Sequence, residues 1–227
     1  MKKKMALVLV MIVAIVSTGC IKNEKTKKTE MSSSQLEKKE TETHSHHHAT
    51  KASEGIFEDN EVKERSISDW QGSWKSIYPY LVDGSLDEVF KEKAKTGDKT
   101  VDEYKKYYES GYKSDIEAID VYNNKMAYLV NGEWQEAEYE SAGYQILTYE
   151  SGKKGVRYLF TSKTEETQAP KYVQFSDHLI EPHKSGHFHI YMGNESHEAL
   201  LTEMTNWPTF FPSKMSKKEI IHDMLYH

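Results

Sequence analysis

The sequence predicts a mainly β fold: an antiparallel β-barrel with short flanking helices. Three observations carry this. Short runs of β-branched and aromatic residues follow one another from Asp115 onward, separated by tight-turn signals. Helix-start signatures stand only before and after that run. Tyrosine is abundant at 15 residues against 5 prolines, a balance that favours strands over a disordered polymer.

The elements follow in chain order. Lys2, Lys3 and Lys4 form a positive start, and Ala6 to Val16 is an apolar run. Spanning a bilayer takes about 20 apolar residues, so this run fits the core of a signal peptide. Ser17-Thr18-Gly19-Cys20 then resembles a bacterial lipobox, in which the cysteine is lipidated, although Ser17 stands where leucine is usual. The chain has 1 cysteine, and it falls here, which favours a lipoprotein over a secreted protein with a stray thiol. Residues 1–20 are therefore read as a lipoprotein-type signal, anchored through Cys20 on the outer face of a bacterial cell membrane. The alternative is a soluble secreted or periplasmic protein.

Residues 21–55 are Lys, Glu, Thr and Ser with little to bury, which predicts a flexible tether. Within it, His44, His46, His47 and His48 could capture divalent ions weakly in shifting combinations. An engineered tag is the alternative, but the cluster is internal, interrupted and preceded by a native-looking signal.

Residues 56–227 are expected to form the folded domain. Ser85-Leu86-Asp87-Glu88 and Thr100-Val101-Asp102-Glu103 read as capping boxes. Leu86, Val89 and Phe90 follow the first on one face, and Val101, Tyr104 and Tyr108 the second. Strands are expected at 115–122, 126–130, 134–140, 144–149, 156–161, 172–175 and 187–192. Asn123-Asn124, Asn131-Gly132 and Ser151–Gly155 supply the turns. Seven or eight such strands can close and remove their edges. Ser216-Lys217-Lys218-Glu219 is a third box, before an apolar face of Ile220, Ile221, Met224 and Leu225.

Composition excludes several functions. A net charge of -6 and the lack of a basic stripe beyond the first ~40 residues argue against a nucleic-acid partner. A single cysteine excludes a disulfide framework and a multi-thiolate zinc site.

Histidine is the informative residue. Of 11, four lie in the tether, none between Ala49 and Asp177, and seven after it. His187-Phe188-His189 in a strand puts two imidazoles on one face. His178 precedes them across Glu181–Gly186, a turn-rich stretch that can return it beside the pair. His178, His187 and His189 would bind a divalent ion with a fourth position open, and zinc (Zn2+) suits the set best. Such binding should weaken as pH falls through about 6.5, the ordinary imidazole pKa. Asp177 is expected to accept an imidazole N–H. His183 is read as a loop residue, His197 and His222 as exposed on helices, and His227 as a frayed end.

The run from Asp177 to Gly193, with its three histidines, resembles the signature of the ZinT (YodA) family of zinc- and cadmium-binding proteins. Trp70–Ser76, Ser151–Tyr158 and Asn206–Pro212 resemble other family segments, so the likeness covers 56–227. It implies a lipocalin-like (calycin) barrel with helical additions and a first strand at Trp70–Ser76. It implies an extracytoplasmic protein that captures zinc, or another divalent metal such as cadmium, under metal limitation. His178, His187 and His189 match the family's ligands, the fourth position being filled by water, a small anion or a His-rich segment. The family domain also occurs fused to zinc-binding components of ABC importers, which implies transfer to an importer's substrate-binding protein. The lipobox-like signal sets this chain apart from soluble family members.

Two other functions fit less well. An open three-histidine zinc is also a hydrolytic arrangement, lowering the pKa of bound water to about 7. The signature offers Asp177 and Glu181, but no nucleophile or oxyanion-hole motif. A carrier of a small apolar ligand would need a wide apolar cavity inside the barrel.

Overall fold

The computed structural model describes residues 50–226. Cys20, the tether histidines His44, His46, His47 and His48, and His227 lie outside the described residues. Among the described residues no helix is long and apolar enough to cross a membrane.

Eight antiparallel strands close into a barrel in which each pairs with its neighbours in sequence and the last with the first. They are β1 (Gly72–Ser76), β2 (Ile116–Tyr122), β3 (Lys125–Val130), β4 (Glu133–Thr148), β5 (Lys154–Ser162), β6 (Tyr172–Ser176), β7 (Phe188–Gly193) and β8 (Thr209–Pro212). The expected turns are where the sequence puts them. Asn123 and Asn124 have φ of 47° and 63°, and Asn131 and Gly132 have 52° and 78°. Positive φ at both central residues is the two-residue hairpin geometry that matches strand twist.

Two strand expectations change. The segments 134–140 and 144–149 are one strand, β4, interrupted by a register shift between Ser141 and Tyr144. Gly143, at φ 85°, forms a kink there, not a turn. The closing strand is β8, inside a stretch that sequence reading leaves without a secondary structure. Only four residues long, it is too short to show an alternation pattern.

Alternation then sorts the side chains. Inward-facing strand residues, including Trp74, Phe160, Phe175, Phe188 and Phe210, fill the barrel with a packed aromatic core, joined by Trp70 from the helical turn before β1. Trp70 stacks on Phe175 at 4.6 Å between centroids, and Trp74 meets Phe188 edge-on at 4.7 Å. Among the described residues this packed aromatic core occupies the space where the carrier function needs a wide apolar cavity.

Outside the barrel lies a second core. Helices α1 (Tyr78–Val82), α2 (Asp87–Thr96), α3 (Val101–Tyr112) and α5 (Lys217–Tyr226) gather Leu86, Val89, Phe90, Tyr112, Ile220 and Met224 over Phe211. Phe210 and Phe211 thus face opposite cores, as neighbours on a strand must. A short helix, α4 (His197–Leu201), follows β7.

Two of the three capping boxes form. Thr100 and Glu103 bond reciprocally, as do Ser216 and Glu219. The Ser85 box does not: Ser85 bonds the Asp83 carboxylate with its backbone N–H and its hydroxyl, and α2 starts from Leu86 without a side-chain cap. An Asx turn competes for the same serine and wins because Asp83 is two residues away. The tether boundary also moves. Residues 50–55 form a turn against the barrel, with Ala52 packed on the core and the Lys154 N–H donating to the Gly55 carbonyl at 2.8 Å.

Candidate metal centre

His189 lies on β7 between Phe188 and Ile190, both of which point into the barrel and are fully buried. His187 immediately precedes the strand. Their side chains therefore emerge on the outer face, toward the helical layer. β8 runs alongside, with His189 opposite Thr209 and Phe188 opposite Phe210.

His178 arrives from the β6–β7 loop. Its backbone has φ 63°, a left-handed conformation that a non-glycine residue adopts at a cost of about 1–3 kcal/mol unless its surroundings impose it. That turn swings the ring back over β7. The outcome is the grouping expected from the sequence: the three imidazoles lie within 5.2–5.8 Å of one another between centroids. One ligand nitrogen from each falls within 4.8 Å of the others. The Nε2 atoms of His178 and His189 are 3.2 Å apart. Two ligands at about 2.0–2.1 Å from one tetrahedral ion stand about 3.3 Å apart, so the spacing fits a shared cation.

The protonation pattern fits as well. Thr209 Oγ1 lies 3.0 Å from the Trp207 carbonyl and 2.7 Å from His189 Nδ1. A carbonyl can only accept, so the one hydroxyl hydrogen goes to Trp207 and the threonine oxygen accepts from His189 Nδ1–H. The Nε2 lone pair of His189 is then directed at the other two rings. On the opposite side, His187 stacks on Phe211 at 5.1 Å and 22°, and its Nδ1 is 3.6 Å from the Asp223 carboxylate. Thr209 thus plays the part expected of Asp177, and Asp223 places a carboxylate beside His187. Sequence reading misses both, because each is brought to the site by an element far along the chain. Thr209→Val keeps the shape and removes the acceptor; its zinc affinity should fall roughly 10–100-fold by chelator competition, with Thr209→Ser near the parent.

Asp177 has another partner. Its side chain is buried and paired with Arg65, Nη1 to Oδ1 at 2.6 Å and Nη2 to Oδ2 at 3.0 Å. Burial opposes the Arg65 charge, but the Asp177 and Asp69 carboxylates outweigh it and hold its pKa above the ordinary value. The pair belongs to the loop's scaffold.

The histidines open into a cavity of about 210 Å³ under the helices, lined also by Lys93, Tyr108, Tyr112, Trp207 and Asp223. Burial pushes the Tyr108 phenol up to about 12 and Tyr112 well above its ordinary value, so both remain neutral donors at physiological pH. Desolvation lowers the pKa of Lys93. The roof depends on Gly111, where a Cβ would come within 2.3 Å of the Trp207 ring.

The remaining histidines divide. His183 and His222 are exposed, as expected. His197 is not simply a surface residue. It is half-buried against β5 and β6, its Nε2 3.0 Å from Thr161 Oγ1 and its ring edge-on to Tyr172, and desolvation lowers its pKa. The fold of α4 onto the barrel wall decides this.

A family model described as "ZinT (YodA) periplasmic lipocalin-like zinc-recruitment" matches residues 48–227. "Probable metal-binding protein YrpE" of Bacillus subtilis is 47% identical over 175 residues, 77% of this chain and 69% of YrpE. "Zinc-binding lipoprotein AdcA" of Streptococcus pneumoniae is 47% identical over 174 residues, 76% of this chain but 35% of AdcA. The crystal structure of the Zn(II)-bound ZinT-like domain of that AdcA superposes with a TM-score of 0.75 at 46% identity, covering 78% of this chain and 99% of the domain.

Proposed function

The chain belongs to the ZinT (YodA) family, and from that premise we propose that it captures zinc outside the cytoplasm on His178, His187 and His189 and passes it to the substrate-binding protein of an ABC importer. The observation that carries this is the convergence of three imidazoles on one point, with the tautomer of His189 set by Thr209 so that a lone pair faces that point. The Zn(II)-bound relative and the names of the other relatives, all metal- or zinc-binding proteins, support the cargo. None of those names is an enzyme's, and no observation favours the hydrolytic alternative.

In this proposal Cys20 carries the lipid that holds the chain on the outer membrane face, and residues 21–49 form the tether. His44, His46, His47 and His48 bind ions weakly and raise their concentration near the tight site, an effect of millimolar order on a short flexible link. The three-nitrogen set does not exclude cadmium, which would compete for the same position.

The test is transfer. The full chain is loaded with one equivalent of zinc and mixed with the metal-free binding subunit of a zinc importer from the same cell. Zinc should move faster than it dissociates into an excess of chelator alone. Transfer no faster than that dissociation would refute a hand-off and leave a storage or buffering protein.

A further inference from the structure

We infer that Arg65, more than 110 residues before the site, is a positioning residue that sets the reach of His178 toward the metal; this rests on the zinc-binding reading above. The β6–β7 loop carries His178 near its start and delivers His187 at its end. It has no regular structure of its own, so something else must hold it.

The residues that do so come from the segment just before β1. Arg65 is fully buried, held against Trp70 at 4.1 Å and Tyr158 at 5.0 Å. From there it uses all three of its nitrogens. Nη1 and Nη2 grip Asp177, Nη2 also donates to the His183 carbonyl at 2.8 Å, and Nε donates to Asp69 at 2.8 Å. Asp69 in turn accepts the His183 N–H at 3.1 Å, and its carbonyl accepts the Ser185 N–H at 2.9 Å. The Lys63 N–H donates to the Ile180 carbonyl at 2.8 Å. Ser185 Oγ then donates to the His187 carbonyl at 2.6 Å.

The loop is therefore pinned at 177, 180, 183 and 185 by residues 63, 65 and 69. His178 sits beside the tightest of these anchors in its left-handed conformation, and such a backbone persists where surrounding contacts over-determine it. Releasing the Asp177 anchor lets residue 178 relax to an ordinary backbone. Its ring would then swing out of reach and leave a two-histidine site.

Arg65→Lys tests this. It keeps the charge but presents a single nitrogen in place of a planar fork, so it cannot hold Asp177, Asp69 and the His183 carbonyl together. Two readouts on the full chain decide: zinc affinity by chelator competition, and the visible absorption of the cobalt(II) form at saturating metal. Four-coordinate cobalt absorbs far more strongly than five- or six-coordinate cobalt, and a merely destabilised but folded protein would keep the parent spectrum.

With parent-like near-ultraviolet circular dichroism, R65K should bind zinc about 10–100-fold more weakly and lose cobalt band intensity. Affinity within twofold of the parent and an unchanged cobalt spectrum would overturn the inference. Should R65K fail to fold, Asp69→Asn, at a carboxylate nearer the surface, is judged by the same two readouts. Failure of the parent chain to bind zinc tightly would instead sink the proposed function.

Discussion

Changing His178, His187 and His189 together to alanine is expected to remove tight zinc binding and all of the stabilisation that zinc confers. A ligand present at 100 times its Kd stabilises the folded state by about 2.7 kcal/mol. For a domain of this size each kcal/mol moves the melting temperature by about 2–4 °C. Calorimetric titration of the parent should show one tight event, and its melting temperature should rise with added zinc. The triple variant should show neither, while its metal-free melting temperature stays near the parent's, because the three rings lie outside the barrel core. Any weak binding left in the variant would belong to His44, His46, His47 and His48. A tight event of unchanged affinity would show that the ion sits elsewhere.

Phe188→Ala should have the largest effect on stability. Phe188 lies between two of the proposed ligands but faces the other way, fully buried against Trp74, Phe175 and Phe210. Removing a buried phenylalanine costs about 3–5 kcal/mol. That is a large part of the roughly 5–15 kcal/mol a domain possesses. Denaturant unfolding of the metal-free variant should shift by that amount, with zinc restoring part of it by mass action. A loss below about 1 kcal/mol would contradict the packed interior. The two experiments together separate two roles proposed for one stretch of chain: its outward histidines as metal ligands and its inward Phe188 as part of the barrel core.

Much of this architecture was legible in the chain. Turn pairs such as Asn123-Asn124 and Asn131-Gly132 announce hairpins because few residues tolerate positive φ. Reciprocal capping at Thr100/Glu103 and Ser216/Glu219 is equally local. The histidine grouping was legible for a similar reason: His187 and His189 share a strand face by period, and the turn-rich stretch behind them brings His178 near.

What failed to show were the features that depend on partners distant in sequence. The Ser85 box lost to a competing bond from Asp83. β4 read as two strands because a bulge resembles a turn in one dimension. β8 was too short to carry a pattern and exists because β1 and β7 offer it two unpaired edges. Asp177 read as a partner of the imidazoles, whereas Arg65 claims it from more than 110 residues away. Backbone preference and side-chain chemistry over a few positions were enough to set the hairpins, two of the three helix caps and the residue types that could hold a metal. Which hydroxyl orients His189, which carboxylate faces His187 and what holds His178 in place were fixed by the closed fold. Those are contacts between chain-distant groups, selected by burial and hydrogen-bond competition once the barrel has closed.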